Sequence, residues 1–417
     1  MANEKKPDVR VRSSAMFKAL PSAIREFLRT EAAGGFILLA CAVAALIVAN
    51  GSSGETYKTV LETPAIFQLT AGTFSFQIDL TVQDWIKDGL MTIFFFVVGL
   101  ELKRELVQGE LSDPGNVILP ISAALGGMIA PALVYLSLNL GGDIRGWPTP
   151  VATDIAFAVA ALSVIGRSAP SSLRIFLLTL AIVDDLGAVV LIALVFSHGI
   201  EWIPLLSTAL TLAIMALLAR WRSVPTWVYV VGTLIVWLFA LRSGVHTSVA
   251  GVAAAFTVPI HARKDGKPSV LAQLENAIHP ISAYFVLPVF AFVAAGVPLR
   301  GLQLHEFFSP VPIGIALGLI FGKPIGVLAA SYIVTRLKFA KLPSGTQFSQ
   351  MVAVSCLCGI GFTMSLFLAA LAFHSDPVAE AEARLGVLCG SIGATILAAV
   401  CFAFTRRSVP ESVRTTT

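Results

Sequence analysis

The sequence predicts an all-α membrane protein of about twelve transmembrane helices. Three observations carry that prediction. Apolar residues make up 56% of the 417 positions and charged residues only 13%, whereas a soluble chain carries about 25% charged residues. Apolar segments long enough to cross a bilayer, which takes about 20 helical residues, recur along the whole chain. Their connecting loops also sort by charge. With the N-terminus placed inside, 22 of the 29 Lys and Arg fall in the tails and inner loops, six fall outside, and Lys323 lies within a span. That asymmetry puts both termini in the cytoplasm, and an error of one in the span count would scramble it. It also accounts for the net charge of +4 without any nucleic acid.

Residues 1–30 are polar and basic and lack the apolar core of a signal peptide, so they read as a cytoplasmic tail. The transmembrane domain covers 31–405, and 406–417 form a second cytoplasmic tail. The first span, 31–51, stops at the turn dipeptide Asn50-Gly51. In the long polar connection that follows, Phe74, Phe76, Ile78 and Leu80 alternate with Ser75, Gln77 and Asp79. This period of two predicts a strand or hairpin within 65–81. Such an element suits a contact with a second subunit in a homodimer, or a loop ordered on the chain's own surface.

Further spans are expected at 85–107, 117–140, 150–166, 173–196, 203–220, 224–241, 246–261, 280–298, 312–334, 351–372 and 385–405. The 150–166 segment is short, opens on Pro148-Thr-Pro150 and soon reaches Thr153 and Asp154. The 351–372 segment carries Gly359, Gly361 and Thr363 in its middle. Both read as interrupted helices, whose freed backbone groups line a cavity instead of facing lipid. In 312–334, Gly314, Gly318, Gly322 and Gly326 recur every fourth residue, a seam that lets another helix approach closely. The five cysteines lie in apolar segments and read as buried free thiols, since Cys356-x-Cys358 has no second half of a metal motif.

Four ionisable residues fall deep within spans: Asp154, Asp184, Asp185 and Lys323. Asp184 and Asp185 are adjacent and halfway along 173–196, near the bilayer midplane. One ionised carboxylate there costs at least about 2.5–3.5 kcal/mol, and two side by side repel one another. A single carboxylate would have sufficed to neutralise Lys323, so the pair points to function. Three acids against one base leave excess negative charge, which attracts a hard monovalent cation or holds protons in its place. The plainer alternatives are a helix cap for Asp154 and a passive ion pair for Lys323. Glu101 and Glu105 share a helix face beside Lys103 and Arg104, either a solvated helix end or a funnel for cations. His246, at a span boundary, reads as a packed interfacial histidine.

Six stretches together resemble the NhaA-type Na⁺/H⁺ antiporter family, across about residues 25–405. They are Phe94-Phe-Phe-Val-Val-Gly-Leu-Glu-Leu-Lys-Arg-Glu105, Ala152-Thr-Asp-Ile-Ala-Phe-Ala158, Leu180-Ala-Ile-Val-Asp-Asp-Leu-Gly187, Ser243-Gly-Val-His246, Gly322-Lys-Pro-Ile-Gly326 and Leu357-Cys-Gly-Ile-Gly-Phe-Thr-Met-Ser365. The resemblance implies inverted-topology repeats and two interrupted helices crossing near the midplane. It implies a transporter, not an enzyme, exchanging cytoplasmic Na⁺ or Li⁺ for external H⁺ across a bacterial inner membrane. Exchange would be electrogenic and pH-regulated, with no cofactor beyond the transported ions and lipid as surroundings. By the same resemblance Asp185 is the main ion ligand, and Asp184 is alternately protonated or paired with Lys323. Thr153 and Asp154 belong to one broken helix, and Gly359, Gly361 and Thr363 to the other. Glu101, Glu105, Glu275 and His279 match a pH-regulating cytoplasmic mouth. The pattern departs near Glu275: Ala272 and Gln273 stand where basic residues are usual, and Asn276 where a histidine is common.

Rival readings fit less well. An intramembrane aspartyl protease needs its aspartates on two facing helices, and a retinal-type pump has seven spans. A sodium-coupled solute symporter stays open as the alternative to exchange.

Overall fold

Helices dominate because a chain crossing lipid must satisfy its backbone N–H and C=O groups within each segment. The computed structural model describes residues 22–71, 74–112, 114–166, 169–197, 199–221, 224–262, 268–299 and 308–407. Most of both predicted tails lies outside these residues. The first helix, α1 (Ser22–Asn50), ends where the Asn50 amide donates to the Leu46 and Val297 carbonyls and its oxygen accepts from the Leu299 amide. A helix that the polar composition had hidden follows, α2 (Gly54–Glu62), whose Tyr57 hydroxyl donates to the Phe292 carbonyl.

The predicted hairpin is present. Strands β1 (Pro64–Ala71) and β2 (Phe74–Thr81) pair antiparallel, with Phe67 opposite Ile78 and Gln68 opposite Gln77. Ile78 is buried while Gln77 and Asp79 are exposed, as a period of two requires. Thr81 and Asp84 then form a reciprocal capping box that starts the next span. That span opens as a π-helical turn, Trp85–Leu90, and continues as α3 (Met91–Gln108).

Helix α4 (Pro114–Asn139) precedes the first interruption. Here 3₁₀ turns at Ile144–Gly146 and Thr149–Val151 lead to a break and then to α5 (Ile155–Ile165), bent by 47°. Next come α6 (Ser171–Val195), α7 (Trp202–Leu218), α8 (Thr226–Ala240) and α9 (Thr247–Thr257). Helix α10 (Val270–Ile281) runs through a π turn, Ser282–Val286, into α11 (Leu287–Ala295). Helix α12 (Pro310–Leu317) likewise runs through Gly318–Gly322 into α13 (Lys323–Arg336). Pro288 and Pro324 each stand two residues past one of these turns. Their missing N–H frees the carbonyl four residues back, at Tyr284 and Ile320, inside the turn. The second interruption separates α14 (Phe348–Cys358) from α15 (Phe362–Ala372), bent by 43°, and α16 (Pro377–Arg407) closes the chain.

By length and composition the described residues contain six helices able to cross a membrane, or eight when each bent pair counts as one. Helices α7, α8 and α9 are apolar but shorter, and α3 carries Glu101, Lys103, Arg104 and Glu105 near its end. The glycine seam finds its partner in α4. A Cβ on Gly322 would lie 2.8 Å from Pro131 Cα, and one on Gly126 would lie 2.6 Å from Ala330 Cβ, so the two backbones are in contact.

Three expectations need correction. The span predicted at 280–298 begins at Val270, and the one at 385–405 begins at Pro377. In both, charged residues that looked like loop are paired inside the protein: Glu275 with Arg104, and Glu380 with Lys87 and Arg384. The thiols are also not uniformly hidden. Cys356 and Cys358 are buried, Cys41 and Cys401 half-buried, and Cys389 exposed.

Contacts group the loops into two ends. At the hairpin end, Arg242 donates to the Gln77 carbonyl, Lys87 meets Glu380, and Arg145 meets Asp143 and Asp376. The Arg145 guanidinium there holds the Asp143 carboxyl below its usual range. At the opposite end Lys103 caps the Phe256 and Val258 carbonyls, Thr226 donates to Gln273, and Ser172 donates to the Ser344 carbonyl.

Candidate ion-binding site

The two broken helices meet at their breaks. The Asp154 amide donates to the Ile360 carbonyl at 2.7 Å, and the Thr153 hydroxyl donates to the Cys358 carbonyl at 2.9 Å. A Cβ on Gly361 would sit 3.0 Å from the Ala152 carbonyl oxygen, so close an approach needs glycine. Asp154 is the N-cap of α5, its Oδ1 accepting from the Phe157 amide at 2.9 Å. Its Oδ2 accepts from the Thr363 amide at 3.0 Å and from the Thr363 hydroxyl. Gly361, the N-cap of α15, has no side chain to cap with, and Asp154 serves that helix from across the break. One carboxylate thus faces the positive ends of two helices, and the capping alternative holds for both.

Lys323 is the first residue after the Gly318–Gly322 turn and is fully buried. Its Nζ donates to Asp184 Oδ2 at 2.6 Å and to the Val151 carbonyl, freed at the first break. Its aliphatic stem lies over Gly127 of α4, with Cγ 3.7 Å from where a Cβ would stand. The expected pairing of Lys323 with Asp184 is therefore the one observed.

Asp185 differs from its neighbour. It is 1% exposed, and neither carboxylate oxygen has a hydrogen-bond partner in the protein. A bare ionised carboxylate so placed is the costly species, so a proton or a cation must neutralise it. It borders a cavity of about 40 Å³ that also touches Asp154, Thr363, Glu101, His279 and Ser282. At about 10–15 Å³ per water, that is room for a few waters or a partly hydrated ion. Among the described residues no three His, Cys, Asp or Glu side chains converge as a resident metal centre would.

From this cavity the residues expected at a mouth continue toward the end opposite the hairpin. His279 Nε2 lies 3.4 Å from Glu101 Oε1, and Arg104 binds both Glu105, at 3.1 Å, and Glu275. The solvated-end reading fails for Glu101, which is 7% exposed and lines the cavity. Gln273, standing in an expected basic position, holds the start of α8 through Thr226 instead.

Residues 25–402 match the family model described as Na⁺/H⁺ antiporter 1. The chain belongs to that family. Among curated members, the Na⁺/H⁺ antiporter NhaA of Serratia proteamaculans is 45% identical over 396 residues, covering 94% of this chain and all of the relative. Those of Proteus mirabilis and Shewanella loihica are also 45% identical, over 91% of this chain and 96% of each relative. Family membership and the run of apolar helices together identify an integral membrane protein.

Within the family's pattern, every predicted site residue falls into one of two connected clusters. One holds Thr153, Asp154, Asp184, Asp185, Lys323, Gly359, Gly361 and Thr363, and the other holds Glu101, Glu105, Glu275 and His279. The cavity joins them through Asp185 and Glu101. Three participants carry no sequence signal of their own. They are the Val151 carbonyl, the Ser282 hydroxyl position in the α10–α11 turn, and Phe367. The last is a buried phenylalanine that contacts Phe95, Phe290 and His246 at 5.5, 6.0 and 5.5 Å. His246 is more than packed: it caps α9 by accepting from the Ser248 amide and lies 3.5 Å from Asp88.

Proposed function

We propose that the protein exchanges Na⁺ or Li⁺ for H⁺ by alternating access, with Asp185 as the carboxylate that both ions occupy in turn. The observation that carries this reading is the buried Asp185 carboxylate, unpaired on both oxygens at the edge of a cavity. Arrival of a cation expels the proton, and a proton returning from the other side expels the cation. Asp184 follows the same cycle through Lys323: when the cation binds both carboxylates the ammonium is released, and it pairs with Asp184 again on exit. Asp154 and Thr363 hold the two breaks in register and supply oxygens beside the path.

The hairpin end faces outside and both tails face the cytoplasm of a bacterial inner membrane, in line with the charge sorting. Twelve crossings follow when α3, α7, α8 and α9 each count as one, arranged as inverted repeats. Glu101, Glu105, Glu275 and His279 line the cytoplasmic entrance and tune it with pH. Strand β1 exposes an apolar side chain on each of its faces, Ile66 on one and Phe67 on the other, and suits pairing with a second copy. Exchange is electrogenic when more than one proton leaves per cation.

The first test is a sodium pulse to sealed vesicles containing the purified protein and no organic solute. Prompt proton efflux is expected, and its absence, or its dependence on an added solute, sinks exchange in favour of symport. Apparent Na⁺ affinity must also fall on acidification. Below the range where the carboxylates titrate, displacing one proton weakens it roughly tenfold per pH unit and displacing two roughly a hundredfold. An affinity flat from about pH 5.5 to 9 with flux still present would mean that protons take another route than Asp184 and Asp185.

A further inference from the structure

Two helix groups meet at the site. In one, α3 packs on α9 and α10, and α9 on α7 and α8. In the other, α4, α6, α12, α13, α14, α15 and α16 pack on one another. Their boundary is open at the cavity, where Glu101 and His279 of the first group face Asp154, Asp185 and Thr363, on or beside the second. Toward the hairpin end the same boundary is shut twice. The inner layer is the Phe367 aromatic cluster already described, with Phe95 on the opposing α3. The outer layer is ionic: Lys87, on the turn entering α3, reaches Glu380 in the first turns of α16 at 3.5 Å. Glu380 also takes Arg384 one turn on.

This ionic layer is hidden from solvent. Lys87 is 7% exposed, and the Glu380 and Arg384 side chains are 13% and 12% exposed. Desolvating such a pair costs more than apolar contact would, and its best attested use is to set a register or a switch. Its construction suits separation. When Lys87 leaves, Glu380 keeps Arg384 on its own helix, so no carboxylate is stranded. Lys87 keeps Asp84 near it, at the end of the capping helix just before its own turn. At the opposite end, among the described residues, the ion pairs Arg104–Glu105, Arg104–Glu275 and His279–Glu101 lie within the first group, and the boundary there carries apolar contact, Leu102 of α3 clustering with Ile182 of α6.

We propose that Lys87, Glu380 and Arg384 form a latch that keeps the hairpin end closed while the Asp185 cavity stands open toward the other, and that Lys87 and Glu380 part in every transport cycle. This rests on the exchange proposed above. The direct test joins Lys87→Cys and Glu380→Cys by a reducible bis-methanethiosulfonate linker, with attachment confirmed by intact mass. The single-cysteine variants treated alike control for the native thiols. Sodium-driven proton flux should fall to less than about a tenth and return on reduction. Undiminished flux with the linker in place overturns the latch.

Glu380→Gln provides a second, uncrosslinked test. Weakening the latch shifts population toward the state open at the hairpin end. Half-saturating Na⁺ should therefore rise when measured from the cytoplasmic face and fall when measured from the outer face, each by about threefold or more. Oriented vesicles of the two sidednesses read this directly. A shift of the same sign on both faces, or none, marks the cluster as structural only and overturns the latch. Absence of sodium-driven flux in the unmodified protein would instead defeat the exchange reading itself.

Discussion

Asp185→Asn is expected to abolish sodium-driven proton flux while the protein inserts and melts as the parent does. The amide has the carboxylate's shape, so the buried site is neither emptied nor overfilled. It cannot release a proton near neutral pH and offers a cation one neutral oxygen in place of a charged pair. The largest penalty to expect is an amide N–H left unpaired at this buried position, where the Asp185 oxygens have no partner now. That omission costs about 1–3 kcal/mol, comparable to the cost of the ionised carboxylate it replaces. Stability should therefore stay level or rise. Flux in proteoliposomes and a melting curve in detergent measure the two halves separately. Flux like the parent's would remove Asp185 from the ion path, and loss of flux together with loss of fold would leave the role to be tested by Asp185→Glu, which should retain measurable exchange.

Lys323→Ala should be the most destabilising single change at the site, besides impairing transport. The ammonium is fully buried and neutralises Asp184 at 2.6 Å. Removing one partner of a buried pair costs about 3–5 kcal/mol, because the other charge remains. The emptied stem beside Gly127 adds a cavity to that loss. Adding Asp184→Asn removes the stranded charge, so the double variant should recover part of the melting temperature lost by Lys323→Ala alone. Strictly additive losses would show that the two residues do not act as a pair.

Much of this site could be read along the chain because intramembrane charge is expensive and therefore rare. Asp154, Asp184, Asp185 and Lys323 stood out by depth alone, and the glycine pattern around Gly359 and Gly361 marked a break. Charges paired within the protein were read less well. Glu101, Glu275 and Glu380 looked like helix ends or loop, since periodicity cannot distinguish a carboxylate facing water from one facing Arg104 or Lys87 on a distant helix. The two late-starting spans have the same cause. The π turns were hidden as well, because a proline in a span does not say which carbonyl it will free or toward what.

The membrane class, the sorting of loops to two sides, the broken helices and the buried aspartates were determined by the sequence alone, since each follows from local composition against the cost of lipid burial. Tertiary structure decided which carboxylate is paired and which is not. Asp184 and Asp185 are neighbours of the same type in one apolar run, and local composition does not separate them; only the family resemblance assigned them different parts. Packing brings Lys323 to Asp184 and leaves both Asp185 oxygens unpaired beside the cavity. It also turns Asp154 into a cap for two helices that are about 200 residues apart in sequence, |i−j| being 209 for its contact with Thr363. Those assignments depend on distances across the fold, and a buried charge takes its chemistry from whatever group stands within hydrogen-bond reach.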